Sequence, residues 1–259
     1  IAGSDSGGGA GIHADLRSFA SQGVYGLSAI TAVTAQNSRE VSAVQVLSTR
    51  LIRAQIQAVA TDFPVGAIKT GMLASRVIVR LVAAAARGAL ANRPWVVDPV
   101  MIATSGATLL RADAERSMRE DLLPLATVLT PNVPEAEVLL GRKLSHQGQL
   151  ERAAADLRGL GAQAVLLKGG HVPGRDVIDV YADAAGITLY RASRRRLNGH
   201  GTGCCLASLI AARLALGEAP AAAVAAAIAA FRVALGHGAL VGSAPVWVPY
   251  PLGPMELRS

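Results

Sequence analysis

The sequence predicts an α/β fold: a mostly parallel central sheet covered by helices on both faces, with an antiparallel hairpin at one edge. Three observations carry this. Helical and strand signals alternate from end to end. The strand signals are near-continuous apolar runs, as strands buried on both faces require. One late segment, 177–193, instead alternates residue by residue around a turn. Strand, helix, strand in repetition is the pattern of a parallel sheet with crossover helices.

The opening IAGSD reads as the end of a strand that begins before Ile1, followed by the glycine-rich turn and helix of GSDSGGGAGIHADL (3–16). Further strands are expected at LSAITAV (27–33), VGAIKTGM (65–72), PWVVDPVM (94–101), ATVLTPN (126–132) and AQAVLLKGG (162–170). Each ends in glycine, proline, asparagine or polar residues. Between them, TRLIRAQIQAVATDF, SRVIVRLVAAAARGAL, DAERSMREDLLPLA and QLERAAADLRGLGA carry helical spacing. VIDVYADAAGITLYRAS (177–193), with its turn at Asp183 to Gly186, is the edge hairpin. Two helices after Gly203 close the fold, and the proline-rich tail, 239–259, is expected to be irregular. With no internal repeat, linker or composition break, residues 1–259 read as a single domain.

Lys and Arg number 25 against 18 Asp and Glu, a net charge of +7. The only basic run is RRR at 194–196, and aromatics are 3% of the chain, so no nucleic-acid partner is expected. The excess charge would favour anionic substrates. No apolar run of about 18 residues stands free of charges and breakers. A membrane partner is therefore not expected, and PAAAVAAAIAAFRVALG reads as a packed helix. With no leader to read, a cytoplasmic location is expected.

Ligands of open parallel sheets bind beyond the carboxyl ends of the strands. The residues just after each apolar run are Ser4 and Asp5, Gln36 and Asn37, Lys69 and Met72, Asp98, Asn132 and Glu135, Lys168, and His200 to Cys204. The 3–16 stretch is neither a Walker loop, since no lysine follows, nor a dinucleotide fingerprint, since position 12 is Ile. Four glycines among residues 7–11 exceed what a turn needs and suggest close approach by a ligand. GHGTGCC (199–205) has the anatomy of an anion hole at a helix start, suited to charge developing on a phosphoryl group. Cys204 is expected to have a lowered thiol pKa there, and Cys205 to be a small buried hydrophobe. Adjacent cysteines without a C-x-x-C or Cys/His set argue against zinc or a disulfide. Asn132, Pro134 and Glu135 fit ordinary helix capping; Glu135 also fits a carboxylate near Mg²⁺. Two of the three lysines, Lys69 and Lys168, sit at strand ends, where Lys168 is a natural phosphate partner. No H-E-x-x-H or G-x-S-x-G motif supplies a hydrolase.

Taken together and in order, AGSDSGGGAGIHADL, TAVTAQNS, KTGML, VVDPVM, LTPNVPEAEVL, LLKGGH and GHGTGCCLAS resemble the hydroxymethylpyrimidine/phosphomethylpyrimidine kinases of thiamine biosynthesis, within the ribokinase-like superfamily. The resemblance spans about residues 1–238. It implies ATP-dependent phosphorylation of the hydroxymethylpyrimidine and then of its monophosphate, with ATP and Mg²⁺ as cofactors. It implies a pyrimidine pocket of Gly3, Ala10, Asp15, Gln36, Met72 and Val100, with Gln36 on the aminopyrimidine edge and Met72 and Val100 on the ring. Cys204 would accept the substrate hydroxyl proton or orient that hydroxyl, and Gly201, Thr202 and Gly203 would form the anion hole. Asp98 and Glu135 fall near Mg²⁺; Lys168, Asn132 and Thr202 fall near the nucleotide. Gly199 stands where threonine is usual, and His13 where glutamine is usual. A homodimer is the expected assembly, and IATSGATLL (102–110) a flap. A pyridoxal or pyridoxine kinase of the same superfamily is the alternative enzyme. A non-catalytic pyrimidine sensor is the alternative from another class; it would need none of Cys204, Glu135 and Lys168.

Overall fold

The computed structural model describes residues 1–101, 112–195 and 197–251. The expected flap at 102–110, Arg196 and the end of the tail lie outside the described residues. Chain order is α1 (Gly11–Ser21), β1 (Ala32–Gln36), β2 (Val41–Val46), α2 (Thr49–Asp62), β3 (Ile68–Thr70), α3 (Arg76–Arg87), β4 (Trp95–Val97), α4 (Ala112–Ser117), β5 (Val128–Leu129), α5 (Val133–Leu140), α6 (Leu150–Arg158), β6 (Ala164–Leu167), β7 (Asp176–Ala182), β8 (Ile187–Ser193), α7 (Thr202–Ala215), α8 (Pro220–Gly236), β9 (Ala239–Val241) and β10 (Val246–Val248).

The main sheet has the order β3-β4-β5-β6-β7-β8, parallel from β3 to β6 and antiparallel beyond. The β7–β8 hairpin pairs Asp176 with Ser193 through to Ala182 with Ile187, so its turn falls at 183–186 as expected. Residues 1–4 extend the other edge: Ala2 pairs in parallel with Ile30, and Gly71 N–H donates to the Ile1 carbonyl. Side chains alternate across a strand, and here the two faces feed separate cores. Val96, Val128, Ala164 and Leu166 pack on α7 and α8, while Val97, Leu129, Val165 and Leu167 pack under α3, α5 and α6. Helices therefore cover both faces of the sheet, as expected.

Three expectations are corrected. The apolar run 27–33 is not a strand buried on both faces. Only Ile30 pairs in parallel, and β1 projects as a hairpin with β2, leaving Val33, Val44 and Val46 exposed. The tail is ordered through residue 248, because β9 and β10 pair antiparallel and Trp247 bridges Gly199. The helix expected over 113–126 gives way to a wide π turn at 118–122 and a short 3₁₀ turn at 123–125. Pro124 lacks the N–H that an α-helix would use there. Among the described residues no helix is long and apolar enough to cross a membrane.

Candidate active site

The carboxyl ends of β3 to β6 and the starts of α1, α5 and α7 surround one cavity of about 390 Å³. Gly3, Ala10, Gln36, Met72, Asp98, Val100, Asn132, Glu135, Lys168, Gly201, Thr202, Gly203 and Cys204 all line it, as do Thr34, Met101 and His171. Asp15, expected on the pyrimidine pocket, is not among the residues that line this cavity. It sits below the surface on α1, 2.8 Å from the Lys69 ammonium, and accepts a 2.8 Å hydrogen bond from Ser208 Oγ. Asp15 and Lys69 line a second space of about 330 Å³, behind the first.

The glycine loop and the anion loop pack backbone against backbone. A Cβ at Gly11 would overlap the Gly3 carbonyl, one at Gly9 would overlap the His200 ring, and one at Gly201 would overlap the Gly9 carbonyl. The glycine excess is thus explained largely by contact within the chain, not by a ligand alone. Asp5 ties the loops together: its carboxylate accepts from Gly7 N–H and Ala10 N–H, each at 2.8 Å, and lies 2.8 Å from His200 Nε2. Burial pushes the Asp5 carboxyl up, but the His200 bond and the two backbone donors outweigh it and hold it below its ordinary value. His200 Nε2 also lies 3.4 Å from Gln36 Nε2, linking the β1–β2 hairpin to the anion loop. From the outside, His200 N–H donates to the Trp247 carbonyl and Trp247 N–H donates to that of Asn198. Gly199 is crowded by its own loop: a Cβ there would lie 2.8 Å from the Thr202 methyl.

Across the cavity, Lys168 Nζ donates to Asp98 Oδ1 at 3.0 Å, and Thr130 Oγ1 donates to the same oxygen at 3.3 Å. Burial lowers the Lys168 proton affinity, but Asp98 and then Glu135 more than restore it, so the ammonium stays charged. Glu135 completes a capping box on α5: Asn132 N–H donates to its carboxylate at 2.8 Å, and Glu135 N–H donates to Asn132 Oδ1 at 2.9 Å. Burial pushes Glu135 up to about 7, with Lys168 opposing and Asp98 reinforcing the shift.

Gly201 caps α7 in the left-handed region at φ +71°, so the first N–H groups of α7 open toward the cavity without helix acceptors. Gly203 brings Lys168 to this turn, since a Cβ there would lie 3.2 Å from Nζ and 3.8 Å from Asp98 Oδ2. Cys204 follows, and its expected low pKa is corrected. Burial raises the thiol above its ordinary value; Lys69 opposes this, but Asp15 and Asp98 add to it. The helix start does not overcome desolvation among two carboxylates. Cys205 is buried, as expected, and pushed up to about 11 by that burial.

One cavity thus holds the Lys168 ammonium beside the Asp98 and Glu135 carboxyl groups, a helix start rich in free N–H groups, and a neutral thiol. That set can bind a polyphosphate and place a hydroxyl against it. Sequence reading placed Asp5, Lys69 and His200 on the rim without giving them work. Their signal was position alone, because neither the Asp5–His200 pair, 195 residues apart, nor the Asp15–Lys69 pair has a local pattern.

A family model described as phosphomethylpyrimidine kinase matches residues 5–247. A hydroxymethylpyrimidine/phosphomethylpyrimidine kinase of Rhizobium meliloti (strain 1021) is 48% identical over 221 residues, covering 84% of this chain and 82% of the relative. Among solved structures, a phosphomethylpyrimidine kinase from Clostridium difficile 630 superposes with a TM-score of 0.80 at 39% identity, covering 90% of this chain and 96% of that one. An ADP complex of Bacillus subtilis pyridoxal kinase superposes with a TM-score of 0.88 at 32% identity, covering 96% and 94%.

Proposed function

The chain belongs to the phosphomethylpyrimidine kinase family, and from that premise we propose how its residues carry out the reaction. It is a phosphotransferase of thiamine biosynthesis, phosphorylating 4-amino-5-hydroxymethyl-2-methylpyrimidine and then its monophosphate at the expense of ATP. The observation that carries our assignment of roles is the convergence of Lys168, Asp98, Glu135 and Cys204 on the open N–H groups of α7 in one cavity.

In this reading Gln36 takes the aminopyrimidine edge, and Met72 and Val100 pack on the ring beside Gly3 and Ala10. Cys204 orients the hydroxyl of the acceptor. Its raised proton affinity supports a hydrogen-bonding thiol over a resident thiolate. The N–H groups of Thr202, Gly203 and Cys204, with Lys168, neutralise the phosphoryl group as charge spreads over its oxygens. Asn132 and Thr202 flank the nucleotide phosphates. Mg²⁺ fits the carboxylate pair: Asp98 raises the proton affinity of Glu135, so added positive charge there would be stabilised. Among the described residues no cluster of three or more metal-binding side chains occurs. Mg²⁺ commonly binds through one or two carboxylates together with substrate phosphates, and when bound it would screen the phosphate charge. We further propose that residues 1–259 act as one kinase domain, cytoplasmic and homodimeric; sedimentation equilibrium tests the assembly.

Incubation with ATP, Mg²⁺ and the hydroxymethylpyrimidine is expected to yield monophosphate, then diphosphate. The fold's likeness to a pyridoxal kinase makes pyridoxal the comparison substrate. Turnover of pyridoxal alone would replace the pyrimidine assignment, and tight pyrimidine binding without turnover would leave only a sensor.

Glu135 also dictates a pH dependence of stability. Its folded pKa is about 7 against an ordinary 4.5, so the folded state holds an extra proton between those values. Stability of the ligand-free protein therefore falls as pH rises through that window. Glu135→Gln keeps a side-chain acceptor for the capping box and should flatten the slope. It is expected to melt a few degrees above the parent at pH 8 and level with it near pH 4.5. Parallel melting curves for the two proteins would refute this.

A further inference from the structure

The segment after α8 lines no part of the cavity, yet it is fastened to both sides of it. Strand β10 lies against the outer edge of the anion loop. Trp247 N–H donates to the Asn198 carbonyl at 2.7 Å, and His200 N–H donates to the Trp247 carbonyl at 2.9 Å. Residues 198–200 thereby join β9 and β10 as a third strand, with Gly199 opposite Trp247. Without β10 that carbonyl and that N–H would have no backbone partner.

The Trp247 side chain anchors this strand. Val246 and Val248 are buried on one face of β10, so the indole between them takes the other. Its N–H donates at 3.2 Å to the Leu235 carbonyl, one of those that the end of α8 leaves without a helical partner. Gly238 makes the room, since a Cβ there would overlap the indole nitrogen. At its other end the β9–β10 turn grips the tip of the β1–β2 hairpin. Ala244 N–H donates to Ser38 Oγ at 3.3 Å, and Arg39 Nε donates to Ser243 Oγ at 2.9 Å. A Cβ at Gly242 would overlap Ser38 Oγ, so only a glycine lets the turn come this close. Gln36, the last residue of β1, stands just before that tip.

Chain ends commonly fray, whereas this one ties α8, the anion loop and the Gln36 hairpin together. We propose that Trp247 is a positioning residue for phosphoryl transfer. Pinned to α8 by its indole, it holds the outer edge of the anion loop, and through the β9–β10 turn it fixes that loop relative to Gln36. The role rests on reading residues 201–203 as the phosphoryl-binding loop and Gln36 as the ring contact.

Amide hydrogen exchange and steady-state kinetics on the same full-length variants test it, the first without any turnover. Trp247→Ala should speed exchange in a peptide spanning 198–203 about tenfold, because two backbone hydrogen bonds lose their anchor. It should lower kcat about tenfold, less than a full 1 Å displacement would cost. Its pyrimidine KM should stay within about twofold of the parent, as for an interaction that matters mainly in the transition state. Ser38→Ala, at a half-buried hydroxyl, loosens only the grip on the β1–β2 hairpin. It should show the converse, a pyrimidine KM raised about fivefold at parental kcat. Trp247→Phe keeps a ring in the hollow that Gly238 leaves and loses only the Leu235 bond. It guards against a Trp247→Ala chain that does not fold, and should speed exchange at 198–203 about threefold while keeping most of kcat. Ile228→Ala is the stability control, because it opens a cavity in the core between α7 and α8. It should lower Tm at least as far as Trp247→Ala does, with parental kcat. Parental exchange at 198–203 in both Trp247 variants, or a kcat loss no larger than that of Ile228→Ala, would overturn the role. A parental pyrimidine KM in Ser38→Ala would overturn the link to Gln36. Faster exchange with parental kcat would remove the anion loop from the reaction, and the role of Trp247 would fall with that reading, not with the contact.

Discussion

Replacing Cys204 by alanine is expected to lower kcat about 100-fold while leaving pyrimidine affinity nearly unchanged, measured by steady-state kinetics beside equilibrium titration of the ring. A loss of that size is about 2.7 kcal/mol of transition-state stabilisation, near the low end for a group that holds or takes a proton in the reaction. The low end follows from the site. Burial among Asp15 and Asp98 raises the thiol's proton affinity, so little thiolate stands ready at neutral pH. Cys204→Ser separates the two possible roles. A hydroxyl can still accept and donate a hydrogen bond, so a residue that orients the acceptor should keep turnover within roughly tenfold of the parent. A residue that must become an anion would lose as much with serine as with alanine. Cys205→Ala is the matched control: its side chain is buried in the core cluster that α7 shares with α8 and the sheet, and only packing energy should be lost. A Cys204→Ala enzyme with parental kcat would remove the thiol from the reaction.

The contrast between these neighbours shows how far the sequence could be read. Position at the head of an apolar helix separated Cys204 from Cys205, and the structure keeps that separation. The strands were legible because β3 to β6 are buried on both faces, and continuous apolar runs have few other uses. The β7–β8 hairpin was legible from its alternation. The β1–β2 hairpin was not. Its valines look like core residues in the sequence, yet Val33, Val44 and Val46 are exposed, and hydrophobicity alone does not report which side of a strand faces solvent.

The site divides along the same line. Residues that end strands or begin helices, such as Asp98, Asn132, Glu135, Lys168 and the anion loop, were found because topology puts such positions on one rim. What escaped depends on long-range electrostatics. Burial first raises the Cys204 proton affinity, and three charges from α1, β3 and the end of β4 that no local pattern brings together then modulate it. Asp15 was given to the ring on resemblance, while the fold turns its carboxylate to Lys69 and Ser208.

Gly201→Ala is expected to combine the other large loss of activity with a clear loss of stability, and its cause can be separated by comparison within the same chain. Two penalties meet at Gly201. Its φ of +71° is left-handed, which costs a residue with a Cβ about 1–2 kcal/mol. Its Cβ would also occupy the place of the Gly9 carbonyl oxygen, so the anion loop must lift away from the glycine loop. Gly141 carries the first penalty without the second: its φ is +67° and nothing lies within 4 Å of its Cβ position. Gly141→Ala should therefore lower Tm by only a few degrees and leave kcat unchanged. Gly201→Ala should lower Tm by twice as much or more, and cut kcat about 100-fold, the scale expected when reacting groups move by about 1 Å. Asp5 and His200 join the same two loops at 2.8 Å, so the displacement cannot be taken up by the loop tip alone. Equal melting shifts in the two variants, with Gly201→Ala still fully active, would show that the anion loop does not depend on its seat against Gly9.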